Sequence, residues 1–126
     1  MSLRILLGQV LGCDNAKGAT AHFLVQRLSG IGILIAGLWF IFSILNISGF
    51  EYADVLAFIA TPLNGVMLFL LVVVMAYHSN LGVQVIVEDY VHDHGLKLTT
   101  LILSRFAHTF LAVAAVYAII KIGLGA

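Results

Sequence analysis

Four polar or small residues stand at helical spacing in one apolar stretch of this 126-residue chain. His78 is followed by Gly82 at the fourth position after it, and by Asp89 and Tyr90 at the eleventh and twelfth. On an α-helix these spacings place the imidazole, the glycine and the carboxylate on nearly the same face, with Asp89 about three turns from His78. The face therefore offers a coordinating nitrogen, a gap beside it that could admit a flat group, and a polar pair at the end.

The helix that carries these residues is long enough to cross a lipid bilayer. No charged residue occurs from Val55 to Val87. The part after Pro62 would be roughly 39 Å long, against a hydrocarbon core of about 30 Å. With a helix end near Glu88, His78 lies about 15 Å inside that end, near the bilayer midplane. An ionisable group at that depth is costly, and it usually marks a ligand, a relay or a partner contact.

His78 has two interpretations. In the first, the ring only packs and donates to a backbone carbonyl of a neighbouring helix. In the second, which the depth and Gly82 favour, the imidazole is a ligand to a metal or haem, because a b-type haem needs axial imidazoles and two helices can supply one each. His108 lies at a comparable depth in the last apolar segment, so spacing allows a haem held by both histidines or one shared with a partner subunit.

Asp89, Tyr90 and Arg27 fall where spans meet water. A phenol can donate to a carbonyl oxygen and a carboxylate can orient a water or an arginine, so the pair could hold a polar headgroup. For Asp89 the residues alone favour a helix end in water, and Tyr90 stays open. Arg27 is a topology anchor, a counter-ion for an acidic cofactor edge such as a haem propionate, or a partner of Asp89. Three further histidines are expected to be solvated at the interface: His22, His92 and His94.

Composition places the chain in the membrane class. It is 62% hydrophobic and 10% charged, whereas soluble domains are about a quarter charged. Its length predicts one domain, residues 1–126, and its apolar runs predict an all-α membrane protein with three transmembrane helices, at about residues 28–47, 62–87 and 98–124. Zero net charge argues against a nucleic-acid partner, and the single Cys13 excludes an internal disulfide.

The connections and the orientation follow from the polar residues. Residues 1–27 are expected to include a short amphipathic segment on the membrane surface, and residues 46–61 and 88–97 are expected to be short loops. Arg4, Lys17 and Arg27 precede the first span, Lys97 lies in the second loop and Arg105 lies near it. The first loop contains no lysine or arginine. The positive-inside rule then places the N-terminus and the second loop on the cytoplasmic (or matrix) side and the C-terminus outside.

Two segments resemble a known family. The segment GATAHFLVQRLSGIGIL resembles the GT.HW..QR.T segment before the first span of the small hydrophobic anchor subunit of succinate dehydrogenase. His78, Gly82, Asp89 and Tyr90 match the H-x3-G-x6-D-Y signature of that family's second span. The similarity covers nearly the whole chain. The EDYVH form is most similar to alphaproteobacterial and mitochondrial-type anchors, and the absence of a presequence favours a bacterial chain.

The chain departs from the family pattern in two places. Phe23 and Leu24 stand where an aromatic pair often follows the first histidine, and Arg105 and His108 in the third span lie outside the pattern. These departures leave open a different haem partner, or an extra contact to propionates or to Asp89.

The resemblance implies a complex in a bacterial inner membrane, or alternatively in the mitochondrial inner membrane. The three helices would pack against a second anchor, the cytochrome b subunit, with a flavoprotein and an iron–sulfur subunit on the cytoplasmic face. His78 would be an axial ligand to the iron of haem b, with the other ligand from the cytochrome b subunit. Tyr90, with Asp89 near it, would line the ubiquinone headgroup site, and Arg27 would lie near the propionates.

The implied activity is electron transfer from succinate, through flavin and iron–sulfur clusters, to quinone. This chain would contribute no catalytic residue, because the dicarboxylate chemistry lies on other subunits. Two alternatives remain: the anchor of a quinol:fumarate reductase running the same path in reverse, and a haem-free structural or proton-conducting membrane protein in which His78 and Asp89 pass protons.

Overall fold

The computed structural model describes residues 16–125, with side chains from residue 20 onward. Every regular element in that range is an α-helix: α1 (Ala16–Leu45), α2 (Tyr52–Ala60), α3 (Pro62–Tyr90) and α4 (His94–Gly123). Three segments are long and apolar enough to cross a membrane: Thr20–Leu45, Pro62–Tyr90 and His94–Gly123. The predicted all-α class with three transmembrane helices is confirmed, while the single-domain assignment stays a prediction.

The connections differ from the predicted ones. α1 already begins at Ala16, so residues 16–27 continue the first span and do not form a separate surface segment; residues 1–15 lie outside the described range. The second connection is only residues 91–93. Asp93 closes it by accepting a hydrogen bond of 2.7 Å from the backbone N–H of Leu96 at the start of α4, which is the usual role of an N-cap carboxylate.

The first connection, predicted to be a loop, contains the short helix α2. A capping box fixes its start. The backbone N–H of Glu51 donates to Asp54 Oδ2 at 3.3 Å, and the side chain of Glu51 accepts from the backbone N–H of Asp54. Its end follows from Pro62, since the residue before a proline avoids the α region and Thr61 is extended. Pro62 then begins α3, where its missing N–H has no cost. α2 also covers part of α1, where Phe58 stacks on Trp39 with ring centroids 6.4 Å apart.

α3 is the central helix of the arrangement. It contacts both α1 and α4. The short helix α2 packs against α3 and α4. Among residues 20–125 few side chains are buried, and most large apolar side chains face outward. The buried residues of this range are Ala36, Leu71, Leu81, Gln84, Val87 and Leu101. Helices that are apolar all round and exposed need lipid or another protein around them.

Candidate functional site

His78 lies in the seam between α3 and α1. Its Nδ1 is 2.9 Å from Ser29 Oγ, and the ring is half-buried. A Cβ atom placed on Gly30 would lie 3.3 Å from the Cε1 atom of His78, so the glycine lets the ring approach the backbone of α1. The seam engages the Nδ1 edge of the imidazole, and Nε2 is therefore the nitrogen through which the ring can bind a metal.

The gap at Gly82 is approached by α1. A Cβ atom at Gly82 would lie 3.8 Å from Gln26 Nε2, so the face that the sequence predicts to admit a flat group is partly covered by a side chain of this protein. The physical reason is that α1 packs on the same face of α3 that carries His78. Because Gln26 meets Gly82 while Ser29 meets His78, α1 and α3 run antiparallel.

Three polar residues follow one face of α1, and their i, i+4, i+7 spacing is the sequence signal that could have revealed them. They are His22, Gln26 and Ser29. His22 Nε2 and Gln26 Oε1 are buried without a hydrogen-bond partner within the described part of the chain. The expectation that His22 is solvated at the interface is therefore wrong for this nitrogen. His22 is part of α1, and its ring faces the inside of the helix arrangement.

His108 contacts a different face of α3 from the one that carries His78. Its Nδ1 is 2.8 Å from the backbone carbonyl of Ser104 and its Nε2 is 3.0 Å from Ser79 Oγ. A carbonyl only accepts, so Nδ1 donates to it and Nε2 accepts from the Ser79 hydroxyl. Since both ring nitrogens are engaged, the structure does not bring the two histidines together around one ligand.

Asp89 and Tyr90 are the last two residues of α3, and both side chains are exposed. Tyr90 is 77% exposed. The phenol stands twelve residues beyond His78, which is about 18 Å along the helix axis. The pair is thus available to a partner chain or a ligand at the end of the span.

Arg27 is exposed and its guanidinium carbon lies 4.9 Å from the centroid of the Phe23 ring, one turn earlier on α1. The pairing of α1 with α3 places Arg27 level with Leu81. That is about 4.5 Å, or nearly one turn, from the level of His78 toward Tyr90. The cation therefore lies between the imidazole and the polar end of α3.

A second polar seam, between α3 and α4, was not foreseen from the sequence. Gln84, only 8% exposed, donates through Nε2 to Glu88 Oε1 at 2.8 Å, and Lys97 Nζ donates to the Glu88 carbonyl at 3.1 Å. Deeper in the membrane, Asn80, Gln84, Leu101 and Arg105 line a cavity of about 10 Å³. That volume holds at most one water.

The fold and site define a small membrane subunit with three spanning helices, a mid-span imidazole and a polar end. Residues 7–120 match the family described as succinate dehydrogenase/fumarate reductase transmembrane subunit. The chain belongs to this family, which confirms the resemblance found in its two motifs.

Individual relatives carry the name succinate dehydrogenase hydrophobic membrane anchor subunit. The chain is 29% identical to the one from Rickettsia typhi over 106 residues, 84% of this chain and 85% of the relative. It is 32% identical to the one from Rickettsia conorii over 90 residues, 71% of each. It is 25% identical to the one from Paracoccus denitrificans over 115 residues, 91% of this chain and 88% of the relative.

Proposed function

We propose that this chain is the small membrane anchor of a bacterial succinate dehydrogenase, which helps to hold haem b and a ubiquinone headgroup on the electron path from succinate to the quinone pool. Family membership and the names of the relatives support the complex. The observation that carries the haem assignment is the half-buried imidazole of His78, whose Nδ1 contacts Ser29 at 2.9 Å in mid-span.

The residues around His78 fit a haem ligand. Metal-binding histidines almost always make a hydrogen bond through the other ring nitrogen, and here Nδ1 makes it while Nε2 remains for iron. A b-type haem, when bound, supplies an iron that changes reversibly by one electron. Because both ring nitrogens of His108 are engaged, His78 is the histidine of this chain that would hold the haem, and a further ligand would come from the cytochrome b subunit.

Arg27 is suited to the acidic edge of the same haem. It lies nearly one turn from the level of His78 toward the polar end of α3, and it is exposed. A guanidinium can make two parallel hydrogen bonds with a propionate carboxylate. The contact with Phe23 pre-orients the cation without neutralising its charge.

Tyr90 and Asp89 are the proposed quinone contacts of this chain. The phenol of Tyr90 donates a hydrogen bond to a quinone carbonyl oxygen, and the Asp89 carboxylate orients a water or an arginine beside it. Their exposure at the end of α3 leaves both groups available to a ligand held jointly with a partner subunit. The chain itself contributes no catalytic residue for the dicarboxylate reaction.

The proposed partners are the cytochrome b anchor, the iron–sulfur subunit and the flavoprotein, with the complex in a bacterial inner membrane. The outward apolar side chains of all three spans support cover by lipid and by a second anchor. The N-terminus and the connection at residues 91–93 are placed on the cytoplasmic side, next to the soluble subunits. A fumarate reductase is the second candidate, because the family description covers both enzymes, and the names of the relatives favour succinate oxidation.

Purification of the complex through a tag on this chain, in mild detergent, tests the proposal. We expect recovery of a flavoprotein and an iron–sulfur protein together with a b-type spectrum in the dithionite-reduced minus oxidised difference. Recovery of both proteins without a b-type spectrum would overturn the haem assignment alone. Absence of both proteins from an intact, folded preparation would overturn the anchor assignment.

A further inference from the structure

We propose that Ser29 is a positioning residue for His78, because its hydroxyl accepts a hydrogen bond from Nδ1–H and holds the ring with its lone pair on Nε2. The inference rests on the proposed function and adds a residue to it. It concerns how this chain sets the electronic character of the haem ligand, which is separate from whether haem is bound.

The direction of the hydrogen bonds follows from the chemistry of the three groups. Ser29 Oγ lies 3.1 Å from the backbone carbonyl of Gln26 and 2.9 Å from His78 Nδ1. A hydroxyl has a single hydrogen, and a carbonyl can only accept, so the contact with Gln26 is a hydrogen bond only if Ser29 donates to it. Both contacts are then hydrogen bonds at the same time only if Nδ1 donates to Ser29. A neutral imidazole has one N–H, and its lone pair is therefore on Nε2.

The surroundings hold this arrangement in place. The bond from Ser29 back to Gln26 fixes the hydroxyl on the backbone of α1. On the next residue, Gly30, a Cβ would lie 3.3 Å from the His78 ring, so the bare backbone limits how far the ring can turn. The contact is partly buried, which reduces competition from water.

The expected effect on a bound haem is a lower reduction potential. A hydrogen bond at the outer nitrogen of a metal-binding histidine fixes the ring and raises the basicity of the ligating nitrogen. A more basic axial ligand stabilises the ferric form relative to the ferrous form. Loss of the acceptor at Ser29 should therefore raise the midpoint potential of the haem.

The chain contains a matched control on the other side of α3. Ser79 Oγ lies 3.0 Å from His108 Nε2, and there the hydroxyl donates because Nδ1 already donates to the Ser104 carbonyl. Ser79 is adjacent to His78 in sequence and lies at the same depth. Ser79→Ala therefore removes the same hydroxyl from the same region of the membrane without touching the proposed ligand.

The test is redox titration of the b-type absorbance in the intact complex with Ser29→Ala, Ser29→Thr or Ser79→Ala. We expect a higher midpoint potential with Ser29→Ala, and the wild-type potential with Ser29→Thr and with Ser79→Ala. Wild-type potential in Ser29→Ala would overturn the proposal. An equal shift in Ser79→Ala, or a shift in Ser29→Thr as large as in Ser29→Ala, would also overturn it.

If Ser29→Ala fails to retain haem, Ser29→Cys takes its place, because the thiol has nearly the same size and is a weaker acceptor. An upward shift in Ser29→Cys supports the proposal, and the wild-type potential contradicts it. Failure of the proposed function would be seen separately, as a wild-type complex without any b-type spectrum.

Discussion

His78 and Ser79 are neighbours in the sequence, yet their side chains contact different helices. His78 contacts Ser29 of α1, and Ser79 contacts His108 of α4. Successive residues of an α-helix are about 100° apart around its axis, and this angle keeps His78 and His108 apart. Each of these two rings is thus paired with a serine of another helix. The contacts of His108 engage both of its nitrogens, whereas Ser29 engages only Nδ1 of His78.

Tyr90→Phe should lower the rate of quinone reduction and leave succinate oxidation by an artificial acceptor nearly unchanged. Loss of one hydrogen bond worth about 1 kcal/mol corresponds to a decrease of roughly fivefold. The side chain is 77% exposed, so folding should not suffer. Paired assays of quinone and dye reduction on the same membranes measure the difference.

Tyr52→Phe is the matched control for the quinone assay, because Tyr52 is 80% exposed and lies at the start of α2, at the opposite end of α3. It should reduce quinone at the wild-type rate. Equal rates in the wild type and Tyr90→Phe would remove Tyr90 from the quinone site.

Gly30→Val should disturb the His78 ring. Already a Cβ at this position would lie 3.3 Å from Cε1, and the two methyl groups of valine add bulk that the seam between α1 and α3 cannot take without moving the imidazole. We expect a broadened or shifted b-type absorbance band and reduced haem content per flavin.

Gly37→Val tests whether any added side chain on α1 has this effect. A Cβ at Gly37 would meet no atom within 4 Å, and the spectrum should stay unchanged. An identical response of both variants would show that the close approach at Gly30 has no special role.

Glu88→Ala should destabilise the end of α3 that packs on α4. It removes the carboxylate oxygen that accepts from Gln84 Nε2 at 2.8 Å within α3, and Gln84 is only 8% exposed. A hydrogen bond to a charged group contributes about 1.5–3 kcal/mol. Thermal unfolding of the detergent-solubilised complex should shift to lower temperature, and Glu88→Gln, which keeps an acceptor oxygen, should restore much of the loss. A melting temperature unaltered by Glu88→Ala would mean that this hydrogen bond contributes nothing to the fold.

The sequence predicts the three spans, but it does not predict which face of each helix contacts which neighbour. Long uncharged runs suffice to indicate three membrane helices, and the depth of His78 follows from its distance to Glu88. The faces are harder to predict because α3 and α4 are apolar nearly all round, so their pattern does not show which side meets which neighbour. On α1 the spacing of His22, Gln26 and Ser29 marks one face, but it does not show which helix that face meets. The sequence therefore predicts an open gap beside Gly82, whereas Gln26 of α1 approaches it.

Local signals explain the other differences. The helix α2 depends on the pairing of Glu51 with Asp54 and on the stop imposed by Pro62, and nine residues are too few for a hydrophobic period to be clear. The buried position of His22 depends on where α1 begins. The sequence does not show that start clearly, because a charged, glycine-containing segment precedes His22.

The most direct test of the central claim is the dithionite-reduced minus oxidised spectrum of three purified complexes: wild type, His78→Ala and His108→Ala. The haem assignment predicts that His78→Ala loses or strongly alters the b-type spectrum while the flavoprotein and iron–sulfur subunits remain attached. His108→Ala should keep the spectrum, because that ring is bound to Ser79 and Ser104. An unaltered spectrum in assembled His78→Ala complex, or its loss in His108→Ala alone, would contradict the claim.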